Sequence, residues 1–280
     1  MLVDTALQSA GAILLGAVLF DLIRGGGWRN PLGEIELRSG GPGVPHVFGV
    51  LAAYLFLLVL LKLIVIDAQA PWVRGSHDWH LAQCVDVGAK LGAGLLMVLI
   101  LHHYRLFGGQ RFARRLGVGR SLLVAVVAVM IIMPVAYLQL RMGQVIWDWL
   151  EPSATPPIHA VLEALENSAW GGWGTVQVAI AAVIVAPLAE ELFFRGVLLQ
   201  SIASALHHAW LAILLSAVAF GLIHYGQPQD VLPLVTMGVI LGYVRVRYGS
   251  LSACVLIHAL FNARTIAFAL LNPETVRSGV

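Results

Sequence analysis

The chain has 280 residues, of which 59% are hydrophobic and 11% charged, with a mean hydropathy of +0.85. An ordinary soluble domain carries about 25% charged residues, so a water-soluble globule is excluded. A net charge of +2 offers nothing for nucleic acid to bind, and continuous apolar runs exclude a transmembrane β-barrel, whose strands alternate over about ten residues.

Apolar runs of roughly 18 residues suffice to cross the ~30 Å hydrocarbon core at 1.5 Å per residue. Taken in chain order they fall at 5–23, 47–66, 87–103, 121–140, 173–206, 210–224, 231–246 and 251–271. They predict an all-α fold: a polytopic transmembrane helical bundle of about eight spans. The first run lacks the basic leader and small-residue cleavage site of a signal peptide and reads as a retained span. Between it and the second lies a Gly- and Pro-dense loop. His77 and His80, in GSHDWH, read as solvated loop residues before the third span. The stretch opening EPSATPP, with Glu163 and Glu166, reads as an amphipathic interfacial connection. This divides the chain into N-terminal membrane helices (1–150) of unassigned role, an interfacial connection (151–172) and a core (173–271).

Basic residues stay on the cytoplasmic side of short loops. Arg105, Arg111, Arg114, Arg115 and Arg120 put the loop around 104–120 inside, together with Arg24, Arg29, Arg38, Arg245 and Arg247. Both termini then lie outside. The tryptophans cluster near predicted span ends, as an aromatic belt does. Asp21 and Lys62 read as headgroup-level residues at the ends of their spans. Cys84 and Cys254 are the only cysteines and have no metal-ligand spacing. Gly238 and Gly242 form a G-x-x-x-G, read as a helix-packing device rather than a dimer face.

Ionised groups at mid-bilayer cost roughly 3 kcal/mol each on insertion scales. The fifth run nevertheless contains Glu190, Glu191 and Arg195 in IVAPLAEELFFRGVLL. Glu191 and Arg195, at i and i+4, can pair on one helix face. Glu190 lies about 100° round the helix and is free for another role. Pro187, one turn earlier, predicts a kink. The sixth run ends with Phe220 and His224, and the eighth carries His258 and Asn262, each pair again at i, i+4.

A lone intramembrane histidine is more often a packing residue than a catalyst. Gathered in three otherwise apolar helices, these groups predict a site. Their chemistry suits hydrolysis of an amide within the membrane. Glu190 is the candidate to take a proton from water and hand it on, as a general base and then acid must. A histidine beside it can orient the water, while a second histidine and a carboxamide N–H₂ can donate to a tetrahedral oxyanion. Two histidines and a glutamate are also a plausible Zn²⁺ set, although no H-E-x-x-H is present.

E-E-x-x-x-R (Glu190, Glu191, Arg195), F-x-x-x-H (Phe220, His224) and H-x-x-x-N (His258, Asn262), in that order, resemble the type II CAAX prenyl endopeptidases. These are also described as the CAAX-protease and bacteriocin-processing (Abi) intramembrane protease family. The resemblance covers about 176–268. It implies an intramembrane endopeptidase in which Glu190 and His224 activate water and His258 with Asn262 forms the oxyanion hole. Glu191, Arg195 and Phe220 would support the site structurally. The family's members are described both as metalloproteases and as metal-independent glutamate proteases. The cofactor expectation therefore stands between zinc and none, with Glu190, His224 and His258 as the candidate metal ligands. The expected substrate is a peptide or membrane-associated protein entering from the lipid bilayer, in the cell membrane of a bacterial host. A maturing peptide or bacteriocin-like precursor is expected over a prenylated CAAX protein. The competing readings are a non-catalytic scaffold or immunity-type protein built on the same polar cluster, and a proton-relaying transporter. Against the transporter stand the lack of an internal repeat and the confinement of ionisable groups to one half.

Overall fold

The structure is a computed structural model that describes residues 9–16, 42–65, 77–104, 116–151, 165 and 172–272. Described residues outside short turns are helical. The long helices are α1 (Val44–Val65), α2 (His77–His103), α3 (Val118–Leu150), α4 (Gly172–Leu206), α5 (Ala209–Leu222), α6 (Pro228–Tyr248) and α7 (Leu251–Leu271). Six are long and apolar enough to cross a membrane, and α5 is a shorter apolar helix. The chain is a multi-pass integral membrane protein. Of the first apolar run only 9–16 is described, and it is helical. Most of the 151–172 connection, and Asp21, lie outside the described residues.

Helix limits depart from the run limits where polar residues extend an apolar core. Helix α3 runs to Leu150, ten residues past the apolar run, through Arg141, Gln144 and Asp148. At 33 residues it is ~50 Å long, so its end projects beyond a ~30 Å hydrocarbon layer. Helix α2 begins at His77 rather than near 87, so His77 and His80 belong to a helix and not to a loop.

Helix α4 is α-helical only in part. Two π-helical segments interrupt it, at Ala181–Val185 and Leu192–Leu198, on either side of the α-helical Ala186–Glu191. Segments of this kind recur at functional sites because they slip the helical register. Pro187, predicted to kink the helix, sits just after the first one. The turn between α4 and α5 is made by the two histidines at 207 and 208. His207 caps α4 with φ 52°, and the His208 side chain accepts from the Leu211 N–H to start α5.

The core joins α3, α4, α5, α6 and α7 through Ile132, Phe194, Phe220, Met237, Leu241 and Ile257. Small residues set the closest approach. A Cβ at Gly238 would lie 2.9 Å from Ala217 Cα, and one at Gly242 would lie 3.0 Å from Ile213 Cγ2. The G-x-x-x-G stripe is therefore occupied within the chain by α5, as the packing reading expects. Helices α1 and α2 form an antiparallel pair against α4 through Val50, Met97, Leu101, Leu192 and Val197. That contact is anchored at one end by His46. Its Nδ1 accepts from the Gly43 N–H at 3.0 Å, so its Nε2–H donates to the Tyr104 hydroxyl at 3.1 Å.

Candidate active site

Glu191 is fully buried, and its Oε1 receives two donors. Arg195 Nη1 donates to it at 3.0 Å, and His258 Nδ1 donates to it at 3.0 Å from α7. The i, i+4 spacing thus yields the expected ion pair, and a buried carboxylate is compensated as it must be. Arg195, 1% exposed, also reaches the Gly238 carbonyl at 3.5 Å. Its guanidinium lies 4.5 Å from the centre of the Phe220 ring, a cation–π contact in a dry interior.

Because Nδ1 of His258 is committed to Glu191, its Nε2 is the nitrogen turned towards Glu190. The separation from Glu190 Oε2 is 3.9 Å, beyond a direct hydrogen bond and within reach of a bridging water. The Glu190 side chain is 22% exposed where its neighbour Glu191 is wholly enclosed. Two adjacent glutamates therefore occupy different surroundings: one is locked into an ion pair, the other is open to a ligand.

Phe220 connects the second histidine to this group. Its buried ring makes edge contacts with His258 at 5.6 Å and with His224 at 5.4 Å between centroids. His224 follows the last turn of α5, and its Nδ1–H donates to the Phe220 carbonyl at 2.9 Å. That bond fixes the tautomer and leaves Nε2 as the lone-pair nitrogen. His224 also interacts electrostatically with Asp230 in the first turn of α6.

Asn262, one turn beyond His258, donates Nδ2 to the Ala182 carbonyl at 2.8 Å. The reason lies in the π segment. The Ala186 N–H bonds Ala181, so in π register the next carbonyl, Ala182, would need an N–H from residue 187, which is proline and has none. Asn262 supplies the missing donor with one of its two amide hydrogens. The second π segment is handled alike. The Leu199 N–H bonds Phe194, and the return to α-helical register from Leu199 passes over the Arg195 carbonyl. Arg245 Nε donates there at 3.3 Å, while its Nη1 donates to the Gly249 carbonyl at 2.6 Å.

Arg245 is 1% exposed and belongs to the frame of the site. In the sequence it reads as one more basic residue near a loop, and only its i, i+4 relation to Gly249 hinted at a local role. Among the described residues no three His, Cys, Asp or Glu side chains gather into a group that could hold a metal ion. His224 and His258 both contact Phe220, and Glu190 lies 3.9 Å from His258.

A cavity of about 760 Å³ opens between α2, α4 and α7. Its wall includes Leu188 and Ala189, which precede Glu190, with Lys90 of α2 and Ser252 of α7.

Comparison with known proteins agrees with the ordered motifs. Residues 172–264 match the family model of type II CAAX prenyl endopeptidase Rce1-like proteins. Over 92 residues the chain is 31% identical to UPF0177 protein YbdI of Lactococcus lactis subsp. lactis (strain IL1403). That alignment covers 33% of this chain and 49% of the relative, so the chain spans about half the length of the curated protein it matches. No solved structure matches.

Proposed function

We propose that the protein is an intramembrane peptide hydrolase and that Glu190 is its general base. The observation that carries this reading is the placement of Glu190 3.9 Å from one nitrogen of a histidine whose other nitrogen is held by a buried Glu191–Arg195 ion pair. A structural network would spend both carboxylates on partners. Here one is enclosed and the other stands open beside an oriented imidazole.

In this mechanism a water bound near Glu190 loses a proton to the carboxylate and attacks the carbonyl carbon of a peptide bond. His224 helps to orient that water through Nε2, since its Nδ1 is fixed on the Phe220 carbonyl. The oxyanion that develops is met by His258 and by the remaining amide hydrogen of Asn262. His258 donates from Nε2 only as an imidazolium, with Glu191 as its countercharge. Glu190 then returns the proton to the leaving amine, so that water has been added across the C–N bond and no further reactant is consumed. No step requires a metal. The substrate in this reading is a peptide or membrane-associated protein segment that reaches the site from the bilayer, in keeping with the family named by residues 172–264 and with the apolar cavity beside Glu190.

The test is turnover of a fluorogenic peptide library by the purified protein in detergent. Glu190→Gln and His224→Ala are each expected to lower the rate by about 10²-fold or more. Wild-type turnover in either variant overturns the assignment.

A further inference from the structure

The N-terminal helices contribute no residue to the motifs above, yet they bring three polar groups to the depth of Glu190. On α1 the Tyr54 hydroxyl donates to Asp86 Oδ1 of α2 at 3.0 Å. Lys90, one turn along α2, donates to Asp86 Oδ2 at 2.6 Å. Both oxygens of the carboxylate are engaged, so the phenol is held from behind by a charge-balanced pair.

The depth follows from helix register. The Ser201 hydroxyl donates to the Gly43 carbonyl at 3.5 Å, pinning the start of α1 beside the end of α4. From there α1 runs away from that end of the bundle as α4 approaches it, and Val47 packs in the same cluster as Val197. Tyr54 lies eleven positions after Gly43, and Glu190 eleven positions before Ser201. At 1.5 Å per residue both are about 16 Å in from the common anchor. Lys90 lines the same cavity as Ala189 and Leu192, residues flanking the two glutamates. The Tyr54 hydroxyl and the Glu190 carboxylate interact electrostatically.

We infer that Tyr54, braced by Asp86 and Lys90, is a positioning residue for Glu190, supplied to the motif-bearing core by the N-terminal helix pair. The phenol spends its hydrogen on Asp86, so towards any further partner its oxygen acts as an acceptor. It can hold the Glu190 carboxyl in its protonated form, the form in which the group must hand a proton to a leaving amine. This gives residues 1–150 a part in the site: α1 and α2 complete a surface that α4, α5 and α7 leave open. The inference rests on the hydrolase reading for its consequence but on the contacts of α1 and α2 for its geometry.

The experiment uses the full-length protein in detergent with Tyr54→Phe, Asp86→Asn and, as a control on an exposed tyrosine, Tyr137→Phe. Three quantities are read: kcat and KM on a cleaved peptide, the rate at which a hydrophobic carbodiimide labels Glu190 as seen by peptide mass spectrometry, and the thermal midpoint. Tyr54→Phe is expected to lower kcat about tenfold with KM within about twofold, because a displaced catalytic group costs rate rather than binding. It should also change the Glu190 labelling rate several-fold at an unchanged midpoint. Asp86→Asn should act in the same direction, and Tyr137→Phe should do nothing. Wild-type labelling in both Tyr54→Phe and Asp86→Asn overturns the inference, as does a fall in kcat that only tracks a lowered midpoint. If labelling responds to Tyr54 while the wild type cleaves no peptide, the positioning stands and the hydrolase reading falls.

Discussion

Asn262 donates its side-chain amide to the Ala182 carbonyl, 2.8 Å away and 80 residues distant in the chain. That carbonyl is the one Pro187 leaves without a helical donor. The pair makes the π segment of α4 a tertiary feature, maintained from α7.

The first prediction isolates that relationship. Asn262→Ala strands a part-buried carbonyl and should cost about 1–3 kcal/mol of stability. Pro187→Ala restores an N–H at residue 187 and lets Ala182 find a partner within its own helix. The cost of Asn262→Ala should then shrink in the Pro187→Ala background, with a coupling of about 0.5–3 kcal/mol. Denaturant unfolding of the four proteins in detergent measures it, and independent, additive losses would contradict it.

Arg195 and Glu191 form the most enclosed ion pair among the described residues, at 1% and 0% side-chain exposure. Arg195→Met leaves the Glu191 charge buried opposite only His258 and should destabilise by about 3–5 kcal/mol. Adding Glu191→Gln removes the uncompensated charge, so the double variant should recover part of that loss. A double variant less stable than Arg195→Met alone would refute the account.

Glu190 should behave in the opposite way. Its side chain is part-exposed and makes no close ion pair, the nearest partner being His258 at 3.9 Å. Glu190→Gln should therefore leave the thermal midpoint nearly unchanged, within the ±0.5 kcal/mol expected away from buried networks, while abolishing peptide turnover. Paired measurements of unfolding and turnover on Glu190→Gln and Glu191→Gln separate the two neighbours: loss of activity without destabilisation in the first, destabilisation in the second.

The stripe of glycines on α6 gives a steric test. Gly238→Val forces a branched side chain against Ala217, whose Cα would stand 2.9 Å from the new Cβ. It should cost roughly 1–3 kcal/mol as overpacking and also shift the Gly238 carbonyl that Arg195 touches. Gly226→Ala, with open space around the same atom, is the matched control and should be tolerated. Equal midpoints for the two variants would show that α5 and α6 are not in close contact.

Much of the architecture was legible because lipid enforces one rule along the whole chain: an apolar run of sufficient length becomes a helix. The seven runs from 47 onward are helices, and the Glu191–Arg195 pair followed from i, i+4 spacing alone. What the sequence withheld depends on partners far away in it. Hydropathy cannot register a π slip, since residues 181–185 and 192–198 are as apolar as their surroundings. The slips become visible only once Asn262 and Arg245 are seen to satisfy the carbonyls they release. Nor could spacing say that His258 turns Nδ1 to Glu191 and Nε2 to Glu190, because that choice is made by the approach of α7 to α4. Arg245 was hidden for a related reason. A basic residue four positions from a helix-ending glycine reads as a loop marker until the surrounding helices bury it. Tyr54 gave no signal at all, being one aromatic residue in an unbroken apolar run.

Helix α5 has 14 residues, about 21 Å, where a ~30 Å oil layer has to be crossed. The turn that follows it, with His224 and Gln227, therefore cannot rise to the level that the long α3 attains. Bilayers answer such a shortfall by thinning locally, which draws the headgroups and their moisture down over that corner. For a reaction that must consume a molecule foreign to hydrocarbon, the shortest supply route is a dent in the membrane made by one truncated rod.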